Sequence, residues 1–110
     1  MYVLGNFAFF KNASSAGESN VLSNPNKGSV LTVEVQGTGT FTLNIQGLVN
    51  TEYANPTYTN LAAIVAGKLS KTESITEPGI YWVGVDGVNE IKAVLSSVSG
   101  NVTVFGRLGE

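Results

Sequence analysis

From Gly79 to Leu108 apolar and polar residues alternate almost without a break, and that period of two restricts this part of the chain to half-buried β-strands. Tyr81, Val83 and Val85 share one side of the first run. Ile91, Ala93 and Leu95 alternate with Lys92, Val94 and Ser96 in the second, and Val102, Val104 and Gly106 alternate with Thr103, Phe105 and Arg107 in the third. Asp86-Gly87, a dipeptide in which both residues tolerate positive φ, separates the first two runs, and Ser99-Gly100-Asn101 separates the second from the third. The spacing predicts a β-meander of three consecutive, hairpin-paired strands.

The same grammar governs the rest of the chain. Ser29 to Gln36 and Gly39 to Gln46 form the clearest alternating pair, with Leu31, Val33 and Val35 on one inner face and Phe41, Leu43 and Ile45 on the other. Gly37-Thr38-Gly39 is expected to close them as a hairpin. Their opposite faces, Thr32, Glu34 and Gln36 with Thr40, Thr42, Asn44 and Gln46, read as a polar, solvated sheet surface. Tyr2, Leu4 and Phe7 to Phe10 suit a first strand in which consecutive Phe9 and Phe10 point to opposite faces. Lys11 to Gly28 is rich in Asn, Ser and Gly and is expected to be irregular, so residues 1–28 are a candidate N-terminal attachment arm. Gly47 to Asn60 is expected to be a loop, Leu61 to Ala66 one short strand, and Gly67 to Glu77 a second connection ending in a Pro78-Gly79 turn. Seven to eight strands with one apolar face each predict an all-β fold: a small antiparallel β-sandwich, jelly-roll or Greek-key-like, as one domain over residues 1–110.

Composition matters mainly through what it excludes. The net charge is −2 and the six basic residues are scattered, so the clustered cations that phosphate backbones require are missing and no nucleic acid is expected as partner. With neither cysteine nor histidine, the chain has no thiolate nucleophile, no imidazole base and none of the usual zinc ligands. Asp86 is the single aspartate and belongs to a turn, which leaves no calcium loop. Glu73 and Glu77 share one connection rather than facing each other across a cleft, and Ser70-Lys71 has only adjacency in its favour. The expectation is a protein that is not an enzyme and that holds no metal or cofactor. Met1 to Phe10 is too short for a membrane span and lacks a basic lead-in, so neither a transmembrane segment nor a signal peptide is expected, and no membrane partner.

Two constellations remain as candidate binding residues. Trp82, with Tyr81, Tyr53 and Tyr58, offers rings of the kind that stack on sugars, which suits a carbohydrate- or receptor-binding module engaging a host-surface glycan. Phe9, Phe10, Val94 and Phe105 lie out of step with the apolar face of their strands and are candidate interface residues. Only 13% of the residues are charged, about half the usual share, which suggests either protein partners or a robust extracellular particle.

The order Ser74-Ile75-Thr76, Gly79-Ile80-Tyr81, Val83-Gly84-Val85-Asp86-Gly87, Ile91-Lys92-Ala93-Val94, Ser99-Gly100-Asn101-Val102-Thr103-Val104 and Gly106-Arg107-Leu108 resembles small bacteriophage virion proteins. The earlier runs Val33 to Gly37, Phe41 to Gly47 and Tyr58 to Ile64 are similar to segments of the same proteins. The likeness covers roughly residues 30–108 and contains no catalytic motif. It implies a structural role in the virion as a head decoration, a head fibre or a neck or tail accessory. It also implies homo-oligomerisation and contact with other virion proteins.

Overall fold

A computed structural model describes residues 6–24, 28–49, 57–68 and 70–109, and every regular element among them is a β-strand. Along the chain these are β1 (Phe7–Ala13), β2 (Gly17–Glu18), β3 (Leu22–Ser23), β4 (Val30–Gly37), β5 (Phe41–Leu48), β6 (Thr59–Leu61), β7 (Ala63–Val65), β8 (Lys71–Thr72), β9 (Gly79–Gly84), β10 (Glu90–Val98) and β11 (Val102–Gly109). They build two antiparallel sheets. One has the order β1-β11-β4-β9-β7-β8, and the other β2-β10-β5-β6 with β3 also on β10. The expected β-sandwich is therefore present, with more and shorter strands than expected. No helix long and apolar enough to cross a membrane occurs among the described residues.

The faces follow the alternation. Leu31, Val33 and Val35, Phe41, Leu43 and Ile45, Tyr81, Val83 and Val85, Ile91, Ala93 and Leu95, and Val102 and Val104 all point into one core between the sheets. Each large aliphatic side chain withdrawn there contributes about 1.5–3 kcal/mol.

The pairing differs from the expected meander. The β4–β5, β9–β10 and β10–β11 connections each carry the chain from one sheet to the other, so none of the three expected hairpins is a paired hairpin. The physical reason is that alternation decides which face of a strand is buried but not which strand lies beside it. A short turn that stays in one sheet and one that arches over the core bury the same residues. At Asp86-Gly87 the turn itself forms, closed by the Val88 N–H donating to the Val85 carbonyl at 2.9 Å with Gly87 at φ 83°. It turns the chain across the sandwich. A short paired hairpin does form at β7–β8, where Gly67 takes φ 82° and the Val65 N–H donates to the Ser70 carbonyl at 3.0 Å.

Two arches stack at one pole. The Thr38 N–H donates to the Asn101 carbonyl at 2.9 Å, the Ser99 N–H to the Thr40 carbonyl at 2.9 Å and the Thr40 N–H to Ser99 Oγ at 2.8 Å. Gly100 is the contact point, since a Cβ there would lie 2.1 Å from the Thr38 carbonyl oxygen. At the opposite pole the Asn24 side chain, only 3% exposed, ties the loop before β4 to the β9–β10 arch. Its Nδ2 donates to the carbonyls of Gly28 (3.0 Å), Val88 (3.1 Å) and Val85 (3.4 Å), and its Oδ1 accepts from the Gly28 N–H at 2.8 Å.

Three further expectations are corrected. Residues 11–24, expected to be irregular, carry the end of β1 and the short strands β2 and β3, because β10 still has a free edge that their backbone groups can pair with. Leu61 to Ala66 is not one strand. Ala62 breaks it, leaving β6 in one sheet and β7 in the other. The connection after Gly67 supplies a core residue, Ile75, whose N–H and carbonyl bond Leu43 at 2.7 and 2.9 Å and extend the pairing beside β5.

Two predictions follow from the poles. Gly100→Ala drives a methyl into a fixed carbonyl and lowers unfolding stability by about 3 kcal/mol, whereas Gly87→Ala, which meets only φ strain and open space, costs about 1 kcal/mol. Chemical denaturation of the two variants checks the ranking. Asn24→Ala strands a buried N–H and several carbonyls, with an expected loss of about 3 kcal/mol in the same measurement.

Candidate functional site

The candidate site lies on the outer face of the six-stranded sheet, and register assembles it from five strands. Phe105 of β11 stands opposite Glu34 of β4, which stands opposite Ile80 of β9. One row along, Arg107 faces Thr32, Thr32 faces Trp82, Trp82 faces Ile64 of β7, and Ile64 faces Lys71 of β8. Alternation predicts polar residues on this face, yet it presents Ile80 (47% exposed), Trp82 (44%) and Ile64 (41%), with Phe105 half-buried beside them. Asn6, Thr32, Glu34, Ile80, Phe105 and Arg107 line a groove of about 460 Å³ at its β11–β4 side.

The predicted residues distribute unevenly over the molecule. Phe105 and Trp82, which came from different readings of the sequence, share this face. Val94 sits on the opposite outer face, between Glu18 and Asn44, because β10 and β11 belong to different sheets. Phe9 is in the core, and its ring meets Phe7 edge-to-face with centroids 4.9 Å apart. A register shift between Ala8 and Phe10 inserts Phe9 as an extra residue opposite β11, so Phe10 also packs partly against the core instead of pointing away from it. Gly106 makes room for this. A Cβ there would stand 2.5 Å from the Phe9 ring.

The aromatic group proposed from sequence is not brought together. Tyr81 is buried and donates its hydroxyl to the Glu77 carbonyl at 2.7 Å, while Trp82 is exposed on the other side of the same strand. Tyr58 lies by the five-stranded sheet, where its hydroxyl donates to Glu90 Oε1 at 2.7 Å and Lys92 Nζ stands 4.1 Å from its ring centroid. Lys92 continues the chain to Glu18 at 2.6 Å. Tyr53, with Tyr2 and Leu4, lies outside the described residues. Glu34, Arg107 and Ile80 were missed by sequence reasoning. Ile80 carried the signal that singled out Phe105, a large apolar residue on the polar parity of its strand.

The two outer faces differ in how their polar groups are used. On the five-stranded sheet Gln46 Nε2 donates to Asn60 Oδ1 (2.9 Å), Asn44 Nδ2 to Ser74 Oγ (3.1 Å) and Ser97 Oγ to Thr42 Oγ1 (3.2 Å). In the groove of the six-stranded sheet, the side chains of Asn6, Thr32, Glu34 and Arg107 make no hydrogen bond or ion pair to one another.

No protein-family model matches the sequence, and no curated protein matches it in sequence. Among solved structures the chain is similar to the SPBc2 prophage-derived protein YomS, with a TM-score of 0.81 and 21% identity over 96% of this chain and 91% of YomS. It is also similar to the PBSX exported protein XepA, with a TM-score of 0.83 and 21% identity over 96% of this chain and 37% of XepA. The chain thus spans little more than a third of XepA's length. Both neighbours are phage-derived, and the likeness establishes a shared sandwich fold.

Tyr58 yields a pH prediction. Burial, then the hydrogen bond to Glu90, pushes its hydroxyl from 10.0 up to about 12, so the folded chain holds this proton more tightly than the unfolded one. Burial, then the Glu77 charge, raises Tyr81 as well. The stabilisation is complete below pH 10 and is lost as pH rises toward 12. Ultraviolet titration of the phenolates is expected to show a late component that Tyr58→Phe reduces, Tyr81 supplying the remainder, and denaturation midpoints of that variant should fall less steeply over this range.

Proposed function

We propose that the chain is a non-enzymatic phage virion protein, a head decoration or fibre or a neck or tail accessory, that works by assembling with copies of itself and with other virion proteins. The observation that carries this reading is the fold it shares with two phage-derived proteins over 96% of its length. The exposed row of Trp82, Ile64 and Ile80 supports assembly through the β9–β7 side of the six-stranded sheet, since large apolar side chains clustered on an otherwise polar surface are characteristic of interface centres.

The sheet edges favour face contacts over edge pairing. β8 has two residues, β6 has three, and β1 is broken by two register shifts with Asn12 at φ 50°, so none offers a long, flat row of unpaired backbone groups. A specific contact needs about 800 Å² per partner, more than one short edge supplies. The proposed location is the virion.

Light scattering over a concentration series tests self-assembly. The expected result is an oligomer that Ile64→Glu returns to the 11.5 kDa monomer with its fold intact. A monomer at every concentration counts against self-assembly, and absence of the chain from purified phage particles by mass spectrometry overturns the virion role.

A further inference from the structure

We propose that the groove between β11, β4 and β9 is a binding site for a neutral sugar, a hexopyranose unit of a surface glycan. This inference does not rest on the virion reading, and it moves the sugar site away from the tyrosines that the sequence suggested.

The groove holds about 460 Å³, within the range of sites that take small ligands, about 300–1,000 Å³. Phe105 and Ile80 supply apolar surface on either side of Glu34, and a pyranose ring presents a C–H face that packs on such surface. Around it stand an acceptor, the Glu34 carboxylate; a planar fork of donors, the Arg107 guanidinium; and two groups that both donate and accept, the Thr32 hydroxyl and the Asn6 amide. Neighbouring sugar hydroxyls need donors and acceptors side by side.

Charge selects among ligands. Glu34 and Arg107 stand on adjacent strands, two residue pairs out of step on the same face, and form no ion pair with each other. The groove therefore carries one charge of each sign. An anionic ligand meets the carboxylate, a cationic ligand meets the guanidinium, and a neutral polyol satisfies both without leaving a charge opposed. A peptide fits poorly for a separate reason. β11 is paired on both sides by β1 and β4, and β4 by β11 and β9, so their backbone groups are already engaged and no strand can be added there. The side chains lining the groove remain unbonded to one another, unlike those on the opposite sheet, and a ligand can engage them without breaking an internal network.

Nuclear magnetic resonance titration of the labelled, full chain with methyl glucoside, methyl galactoside and N-acetylglucosamine tests this. N-acetylneuraminic acid serves as the acidic comparison. The expected result is saturable movement of the resonances of Thr32, Glu34, Ile80, Phe105 and Arg107 by at least one neutral sugar, at concentrations up to about 50 mM, as suits a single-sugar site with a millimolar constant. Glu34→Gln and Arg107→Ala, both at exposed positions, are each expected to weaken it at least tenfold while leaving the spectrum dispersed and the light-scattering mass unchanged. Three results overturn the proposal: no movement at the groove with any neutral sugar, binding indifferent to both substitutions, or equal binding of the acidic sugar. Loss of self-assembly in Ile64→Glu with sugar binding retained leaves this site standing and bears on assembly alone.

Discussion

Gly100 against the Thr38 carbonyl is the contact on which the rest of the sandwich depends. At that pole the chain passes between sheets twice, once from β4 to β5 and once from β10 to β11, and the two crossings can stack only where a residue without a side chain allows backbone to meet backbone. Once they stack, β4 lies beside β11 and β5 beside β10 for the full length of each strand. Both long ladders, one in each sheet, follow from this single approach. The opposite pole is tied by other means, with the Asn24 amide bonding three carbonyls and one N–H where no regular pairing is available.

This arrangement explains how much of the fold could be read from the sequence. The inward residues of β4, β5, β9, β10 and β11 were legible because burial acts on every second residue whatever strand lies alongside. Pairing was not legible, because Gly37-Thr38-Gly39 and Asp86-Gly87 suit a turn within a sheet as well as one between sheets, and the choice depends on a contact with residues about sixty positions away. Asn24 was invisible for a similar reason. In a stretch rich in Asn and Ser nothing local distinguishes the one side chain that is buried and fully bonded.

The candidate site was partly legible on the same terms. Phe105 stood out as a large apolar residue where a polar one was due and Trp82 as a ring suited to stacking, signals that belong to one strand at a time. Their company did not stand out. Glu34 and Thr32 belonged to a face read as polar and solvated, and only the register of β4 between β11 and β9 brings them beside Phe105, Arg107 and Ile80. The aromatic cluster drawn from the sequence failed for the complementary reason. Tyr81 and Trp82 are consecutive in a strand and so must diverge, and Tyr58 reaches the other sheet, where Glu90 and Lys92 hold it.

The two outer faces therefore have different chemistry although both derive from the polar parity of their strands. The five-stranded face bonds its own side chains to one another through Gln46, Asn44, Thr42 and the run from Tyr58 to Glu18, which leaves it few free donors and little apolar surface. The six-stranded face keeps Trp82, Ile80 and Ile64 in the open and leaves its groove residues without bonds to one another. Apolar side chains held in water contribute nothing to folding and favour binding once a partner removes that water, whereas a charge gains only where a partner replaces its water with hydrogen bonds. Both lie on one face of a sandwich whose edges are short or bulged. Phe105 and Ile80 frame the polar groove, and Trp82 with Ile64 extends the apolar row toward β8, so the proposed sugar groove and the proposed assembly contact lie side by side on one sheet surface.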